Sequence, residues 1–235
     1  MSSKHFNRPK QYTQGWVEFY KLKFKITPDV LIPRPETELL VDEVIRFLSN
    51  HPERPKGVEG SPYTILDIGT GSGNIAISIA KNSRAKISAA DISLKALKVA
   101  KQNAKLHGVE KRIFFLKSDL LSNIKSSPDI IVTNLPYIPS ERIPYLDSSV
   151  KDHEPHIALD GGEDGFELYR KLFKQIRKFE GAPQGWKHQM IVCEIDYTHG
   201  ELAVNEALKY FPEAQVEVKT DLAKTQRILK ISLSR

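Results

Sequence analysis

Residues Thr64–Ala80, TILDIGTGSGNIAISIA, constrain the fold more than any other stretch of the chain. The short apolar run Ile65–Leu66 reads as a buried strand. Asp67 follows, then glycines at Gly69, Gly71 and Gly73. From Asn74 the apolar residues fall at helical spacing, with Ile75, Ile79 and Ala80 on one side and Ala76 filling in. A strand, a glycine turn and a helix start present backbone N–H groups to a ligand. Glycine lets that ligand come close. A nucleotide-like cofactor is the natural occupant. Gly71, Gly73 and Ala76 also satisfy the dinucleotide pattern with its permitted alanine, and a turn with no ligand is the bland alternative. Asp91 ends the apolar run Ile87–Ala90 at the spacing of the acidic residue that takes ribose hydroxyls in Rossmann-like sites.

Around this unit, strands and helices alternate. Trp16–Phe24 reads as a β-hairpin turning near Tyr20–Lys21. Pro28, Pro33 and Pro35 keep the next stretch extended, and Pro35 opens a helix running to about Asn50. His51–Pro62 reads as a linker. Strands are expected at Ala85–Asp91, Ile113–Leu116, Asp129–Thr133 and Gln189–Ile195. Helices are expected at Leu94–Leu106, with Ser93 as N-cap and Gly108 past its end, at Glu163–Lys178 and at Gly200–Tyr210. Asn134–Gly162 is a long loop, a length that implies a working one. Gln215–Lys219 and Arg227–Leu233 have no helix between them and should pair antiparallel. The fold class is therefore α/β, a mostly parallel sheet ending in an antiparallel hairpin. Ligands in such sheets sit at the carboxyl ends of the strands, which gathers Asp67, Asp91, Asp119 and Asn134 around one crevice.

Asn134-Leu135-Pro136-Tyr137 follows the fourth strand of that series. Asn134 offers a carbonyl acceptor on a short tether. Pro136 forces Leu135 to be extended, which can aim the Leu135 carbonyl outward. Two acceptors can hold the two hydrogens of a planar –NH2 group, and Tyr137 can cover its flat face. An Asn–Pro turn is the structural alternative.

These motifs carry a resemblance. Asp67-x-Gly69-x-Gly71-x-Gly73 resembles the first motif of class I methyltransferases, which bind S-adenosylmethionine (SAM) and release S-adenosylhomocysteine. Asn134–Tyr137 resembles the (N/D)PP(Y/F) signature of methyltransferases acting on planar nitrogens, with Leu135 in place of the usual first proline. That class includes adenine-N6 enzymes of DNA and RNA as well as protein-glutamine enzymes. The N-(I/L)-P-Y form also occurs in rRNA adenine dimethyltransferases. Leu31–Glu38, LIPRPETE, decides between them. It resembles the IPRPETE element of HemK/PrmC-type protein-glutamine N5-methyltransferases, which methylate the GGQ glutamine of peptide chain release factors. Trp16–Tyr20, Phe24–Val30, Glu154-Pro155, Ala158-Leu159, Gly161–Gly165, Glu194-Ile195, Asp221-Leu222 and Arg227 match that family in order. Asp196 and Lys224 stand where it usually has glycine.

By this resemblance, Asp67, Gly69, Thr70, Gly71, Ser72 and Gly73 form the loop at the methionine end of SAM. Asp91 with Ile92 takes the ribose, and Asp119 with Leu120 borders the adenine. Asn134, Leu135, Pro136 and Tyr137 hold the substrate amide, with Asn134 also beside the cofactor. Arg34, Pro35 and Thr37 belong to an element closing over that side. Residues 31–235 would be the methyltransferase domain, and residues 1–30 a basic tail and hairpin. The family's helical N-terminal domain, which docks the release factor, is not expected here.

Composition narrows the remaining classes. No apolar run reaches the ~18 residues of a membrane-spanning helix, and the polar N-terminus lacks a signal-peptide core. The lone Cys193 excludes an internal disulfide. Both observations lead to a cytoplasmic expectation. The formal net charge is +6, and Lys4, Arg8, Lys10, Lys21, Lys23 and Lys25 would allow an RNA contact by the N-terminus. His153, Glu154 and His156 do not have zinc-ligand spacing, so no metal is expected. His199 and Glu201 are expected at the surface.

Overall fold

Near-continuous apolar runs such as Ile130–Val132 and Met190–Cys193 require burial on both faces, hence a sheet covered by helices on either side. The computed structural model, which describes residues 7–51, 62–180 and 190–233, has that architecture. Along the chain lie α1 (Lys10–Gln14), β1 (Trp16–Phe19), β2 (Leu22–Lys25), α2 (Glu38–Asn50), β3 (Thr64–Ile68), α3 (Asn74–Asn82), β4 (Lys86–Asp91) and α4 (Leu94–Leu106). They are followed by β5 (Ile113–Lys117), β6 (Ile130–Thr133), α5 (Ser148–Lys151), α6 (Glu167–Glu180), β7 (Met190–Glu194), α7 (Gly200–Tyr210), β8 (Gln215–Thr220) and β9 (Gln226–Ser232). The large sheet has the order β5-β4-β3-β6-β7-β9-β8. Its first five members are parallel, and β9 runs antiparallel to both neighbours. The order reverses between β3 and β6, which opens a crevice at their carboxyl ends.

One buried cluster joins Leu40, Val41 and Val44 of α2 to Ile75, Ile77 and Ile79 of α3 and to Phe19 and Phe24 of the hairpin. A second packs Tyr169, Leu172, Phe173 and Ile176 of α6 with Ala203 and Ala207 of α7 on the opposite face, and a smaller third gathers Tyr12, Ile26, Val30 and Ile32 against Ala96 and Val99 of α4. Every residue from Asn74 to Ala80 is buried, so α3 is covered all round. Gly73 makes that possible. Its φ is +82°, and a Cβ there would lie 3.1 Å from Ala100 Cβ and 2.9 Å from Ile77 Cδ1.

The hairpin turns at Tyr20 and Lys21, both at positive φ (50° and 59°). That is the primed turn whose twist suits paired strands. Asn103 of α4 fastens the hairpin to the glycine loop. Its Oδ1 accepts from Lys25 N at 2.8 Å, and its Nδ2 donates to the Lys25 and Ser72 carbonyls at 2.9 and 2.8 Å. Ser93 caps α4 by accepting from Ala96 N.

Several sequence expectations need correction. The basic tail expected before the hairpin contains a helix among the described residues: α1 is anchored by the Tyr12 hydroxyl, which donates to the Val30 carbonyl at 2.6 Å. The 134–162 loop contains α5 and two short 3-10 turns, Ser140–Tyr145 and His156–Ala158. Its ends are drawn together by Ile138 N donating to Leu159 O and Gly161 N to Ile138 O. The helix expected from Glu163 begins at Glu167 because Asp164 Oδ1 accepts from Phe166 N, which makes a turn first. Residues 1–6, the linker positions 52–61 and Gln189 lie outside the described residues. Lys224 adopts φ +61° in the turn between β8 and β9.

Candidate active site

A cavity of 630 Å³ opens at the carboxyl ends of β3, β4 and β6. Its size suits a nucleoside-containing ligand. Gly69–Ser72, Asp91, Ile92, Asp119 and Leu120 line one part of it, and Asn134, Leu135 and Pro136 another. The strap Val30–Arg34 apart from Ile32, Thr37, the segment Pro155–Ala158, the 160–162 turn and Glu167, Leu168 and Lys171 of α6 also line it. Four predicted site residues, Asp67, Gly73, Pro35 and Tyr137, are not among those lining it.

Asp67 lies within β3 and is fully buried. Its Oδ2 accepts from Thr70 Oγ1 at 2.7 Å and from Ala76 N at 3.2 Å, bracing the loop from beneath. Oδ1 is buried with no hydrogen-bond partner. Burial therefore pushes its carboxyl up from the usual 3.8 to about 7. Between those pH values the folded chain holds a proton that the unfolded chain has released. Stability is expected to fall as pH rises from about 4 to about 7. Asp67→Asn should flatten that slope in denaturant titrations made without ligand. A slope identical to that of the unmodified protein would contradict this account.

Asp91 stands where the strand ends. Its Oδ2 accepts from Gly71 N at 2.9 Å and its Oδ1 from Ser93 N at 2.8 Å. Each oxygen keeps a second lone pair for a donor in the cavity. Burial raises its pKa, and the backbone donors oppose that. Ile92, beside it, is 47% exposed despite being apolar. Leu120, also in the lining, holds φ +50°, the kind of backbone strain that collects at functional sites. Asp119 pairs with Lys171 at 2.6 Å, both half-exposed. Two acceptors on Asp91, with the apolar Ile92 and Leu120 nearby in the lining, suit the hydroxyl donors of a ribose diol and the flat base attached to it.

The strap and the long loop are clamped together. Glu154, buried, accepts from Ile32 N at 3.2 Å and pairs with Arg34 at 2.5 Å. Glu154 is thus engaged in this clamp, and among the described residues no cluster of His, Cys, Asp or Glu has a metal-binding arrangement.

At the second motif, Asn134 Nδ2 donates to Thr37 Oγ1 at 3.2 Å. Thr37 is 2% exposed and lines the cavity beside Asn134. Tyr137 turns its hydroxyl to Glu194 Oε1 at 3.0 Å.

The family model for the methyltransferase small domain matches residues 41–144. The release factor glutamine methyltransferase of Lactococcus lactis is 36% identical over 232 residues, 97% of this chain and 78% of the relative. That of Bacillus cereus is 37% identical over 226 residues, 94% of this chain and 75% of the relative. The chain belongs to the release factor glutamine methyltransferase family. Solved structures show the fold: the ribosomal protein L11 methylase of Lactobacillus delbrueckii (TM-score 0.57, 21% identity, 89% of this chain and 84% of that one) is one. The human METTL16 catalytic domain in complex with an RNA hairpin (TM-score 0.69, 15% identity, 92% and 77%) is another.

Leu135 stands where the (N/D)PP(Y/F) signature that Asn134–Tyr137 resembles has its first proline. Leucine brings an N–H, and here it is used: Leu135 N donates to the buried Tyr169 hydroxyl at 3.2 Å. That hydroxyl in turn donates to the Glu194 carbonyl. A hydrogen-bonded strut from α6 thus restrains the residue that a ring would otherwise stiffen. Tyr169 was invisible to motif reasoning, since one aromatic on an amphipathic helix reads as core. His199 corrects another expectation. It is 5% exposed, not at the surface, with its ring edge-on to Phe166 at 5.9 Å. The start of α7 packs onto the 161–166 turn, and burial lowers the imidazole pKa.

Proposed function

We propose that this chain transfers the methyl group of SAM to the side-chain amide nitrogen (N5) of a glutamine in a peptide chain release factor, with the GGQ glutamine as the target. The single observation that carries the reading is the meeting of Asn134 and Leu135 with the glycine loop and Asp91 around one cavity. When bound, SAM would supply an electrophilic methyl group. The backbone of Gly69–Ser72 would hold its methionine end, Asp91 the ribose hydroxyls, and Ile92, Asp119 and Leu120 the adenine. Asn134 Oδ1 and the Leu135 carbonyl would accept the two N–H bonds of the glutamine carboxamide. That grip orients the nitrogen, and positioning supplies much of the barrier reduction. The same acceptors stabilise the positive charge that develops on nitrogen as it gains the methyl. Pro136 keeps Leu135 extended so that its carbonyl stays aimed.

Residues 31–235 serve as the catalytic domain in this reading, with the hairpin as its extension. A release factor substrate places the activity in the cytoplasm. Among the described residues no helix is long and apolar enough to cross a membrane. The exposed hairpin lysines Lys21, Lys23 and Lys25 offer an auxiliary contact to RNA. Reversing their charges should weaken binding to ribosome-derived RNA, and unchanged binding would dispose of that contact.

The deciding assay incubates the chain with methyl-labelled SAM and, in parallel, a GGQ-containing release factor and rRNA. Label on the glutamine of the release factor is expected. Label confined to adenine in the RNA would instead assign an adenine-N6 activity, and SAM binding without transfer to either would leave a binding protein.

A further inference from the structure

β6 stops pairing with β7 at Thr133, opposite Cys193. Leu135 lies two residues beyond that ladder, yet in the reading above its carbonyl must stay aimed at the cavity. Two torsions set the aim. Pro136 restrains ψ by excluding the helical region for the residue before it. The other torsion, φ, is the one that a proline ring at 135 would lock, and leucine leaves it free.

The Tyr169 hydroxyl supplies the missing restraint. It accepts from Leu135 N at 3.2 Å and donates to the backbone carbonyl of Glu194, the last residue of β7. Leu135, Tyr169 and Glu194 are all buried. A buried N–H is costly to leave without its partner, so one phenol ties the Asn134–Leu135 peptide plane to the sheet. The same hydroxyl lies 3.5 Å from the Leu135 carbonyl oxygen. It has a single proton to give. Burial raises the phenol pKa well above its ordinary value, so the proton stays on the oxygen. The closer acceptor, the Glu194 carbonyl, takes it. The Leu135 carbonyl therefore keeps its lone pairs for a donor in the cavity.

We infer that Tyr169 is a positioning residue that holds the Leu135 backbone by a hydrogen bond, where a proline ring would hold it covalently, and leaves the Leu135 carbonyl free to accept. Tyr169 is outside the cavity lining and acts only through Leu135. The kinetic consequence rests on the methyl-transfer reading above; the backbone restraint does not. Tyr169→Phe removes the hydroxyl at nearly constant shape. Leu135→Pro removes the N–H that the hydroxyl accepts from and puts a ring in its place, so the two changes should not be independent.

Two measurements test this. The first needs no turnover. By NMR, the Leu135 backbone amide should exchange slowly in the unmodified chain and about tenfold faster or more in Tyr169→Phe, while the Ile131 and Val132 amides of β6 keep their protection. The second is steady-state methylation of a release factor, with rates normalised to folded protein. Tyr169→Phe should lower kcat about 3- to 10-fold, the scale of one hydrogen bond, with calorimetric SAM affinity unchanged within about twofold. In a Leu135→Pro background, whatever rate that background has, adding Tyr169→Phe should cost less than about twofold. A Leu135 amide still protected in Tyr169→Phe, or an unreduced kcat in that variant, overturns the inference. So does a proline background in which Tyr169→Phe costs as much as in the unmodified chain. A Leu135→Pro chain that does not fold overturns it too, because ring and hydrogen bond would then not hold the same conformation. An unmodified chain whose Leu135 amide depends on Tyr169 but that methylates no release factor would sink the proposed function and leave the restraint standing.

Discussion

Asn134→Ala is expected to reduce methyl transfer by about 10²–10³-fold or more, the scale seen when one preorganised charge-stabilising hydrogen bond is removed. The variant loses the side-chain acceptor and keeps only the Leu135 carbonyl, so the carboxamide can swing about its remaining contact. Orientation and charge stabilisation fail together, which is why the loss should be large. The fold should suffer little: one hydrogen bond to Thr37 disappears, worth about 0.5–1.5 kcal/mol. SAM binding should stay within a few-fold because Gly69–Ser72 and Asp91 are untouched. Initial rates at saturating SAM, alongside calorimetric affinity and a thermal melt, separate these effects. A variant that turns over at a tenth of the normal rate or better would remove Asn134 from the chemistry.

Gly165→Ala should be the most disruptive alanine substitution among the described glycines. Gly165 holds φ +77°, and a Cβ there would collide with the Tyr137 carbonyl oxygen while lying 2.8 Å from His199 Cε1 and 3.1 Å from Pro139 Cδ. The first of these is rigid backbone of the second motif. Gly161 makes a matching approach, its virtual Cβ lying 2.8 Å from the Pro136 carbonyl oxygen. The 161–165 turn is therefore a backbone-on-backbone support for Pro136 and Tyr137. Overpacking and the left-handed conformation together should cost about 2–5 kcal/mol. Molecules that remain folded should have a displaced motif and a kcat reduced well beyond what the loss of folded protein explains. The check is a denaturant midpoint together with activity normalised to folded fraction. An unshifted midpoint with full activity would show that the turn has room to spare.

The glycine loop, the Asn-Leu-Pro-Tyr motif and the succession of strands and helices were legible from local pattern. Ile65–Leu66, Ile87–Ala90 and Ile130–Val132 are apolar because parallel strands are buried on both faces. Ser93 and Gly108 are punctuation whose chemistry is local. Boundaries slipped where a side chain chose among backbone groups, as Asp164 does in delaying α6. The buried state of Asp67 and His199 was not legible, because polar residues carry no periodicity that says which way they face. Nor was the partnership of Leu135 with Tyr169, 34 positions apart.

By itself the sequence determined the class of sheet, the place of the crevice and the residue types offered to it. Each of those depends on short-range rules: side-chain periodicity, glycine's conformational range and proline's restriction. The tertiary structure alone decided which polar groups reach the cavity and which brace it from behind. Asp67 braces the glycine loop from beneath, and Tyr137 turns away from the cavity to Glu194, contacts made by packing between distant elements. Hydrogen-bond direction in a buried network depends on every partner at once, so it exists only after the chain has closed on itself.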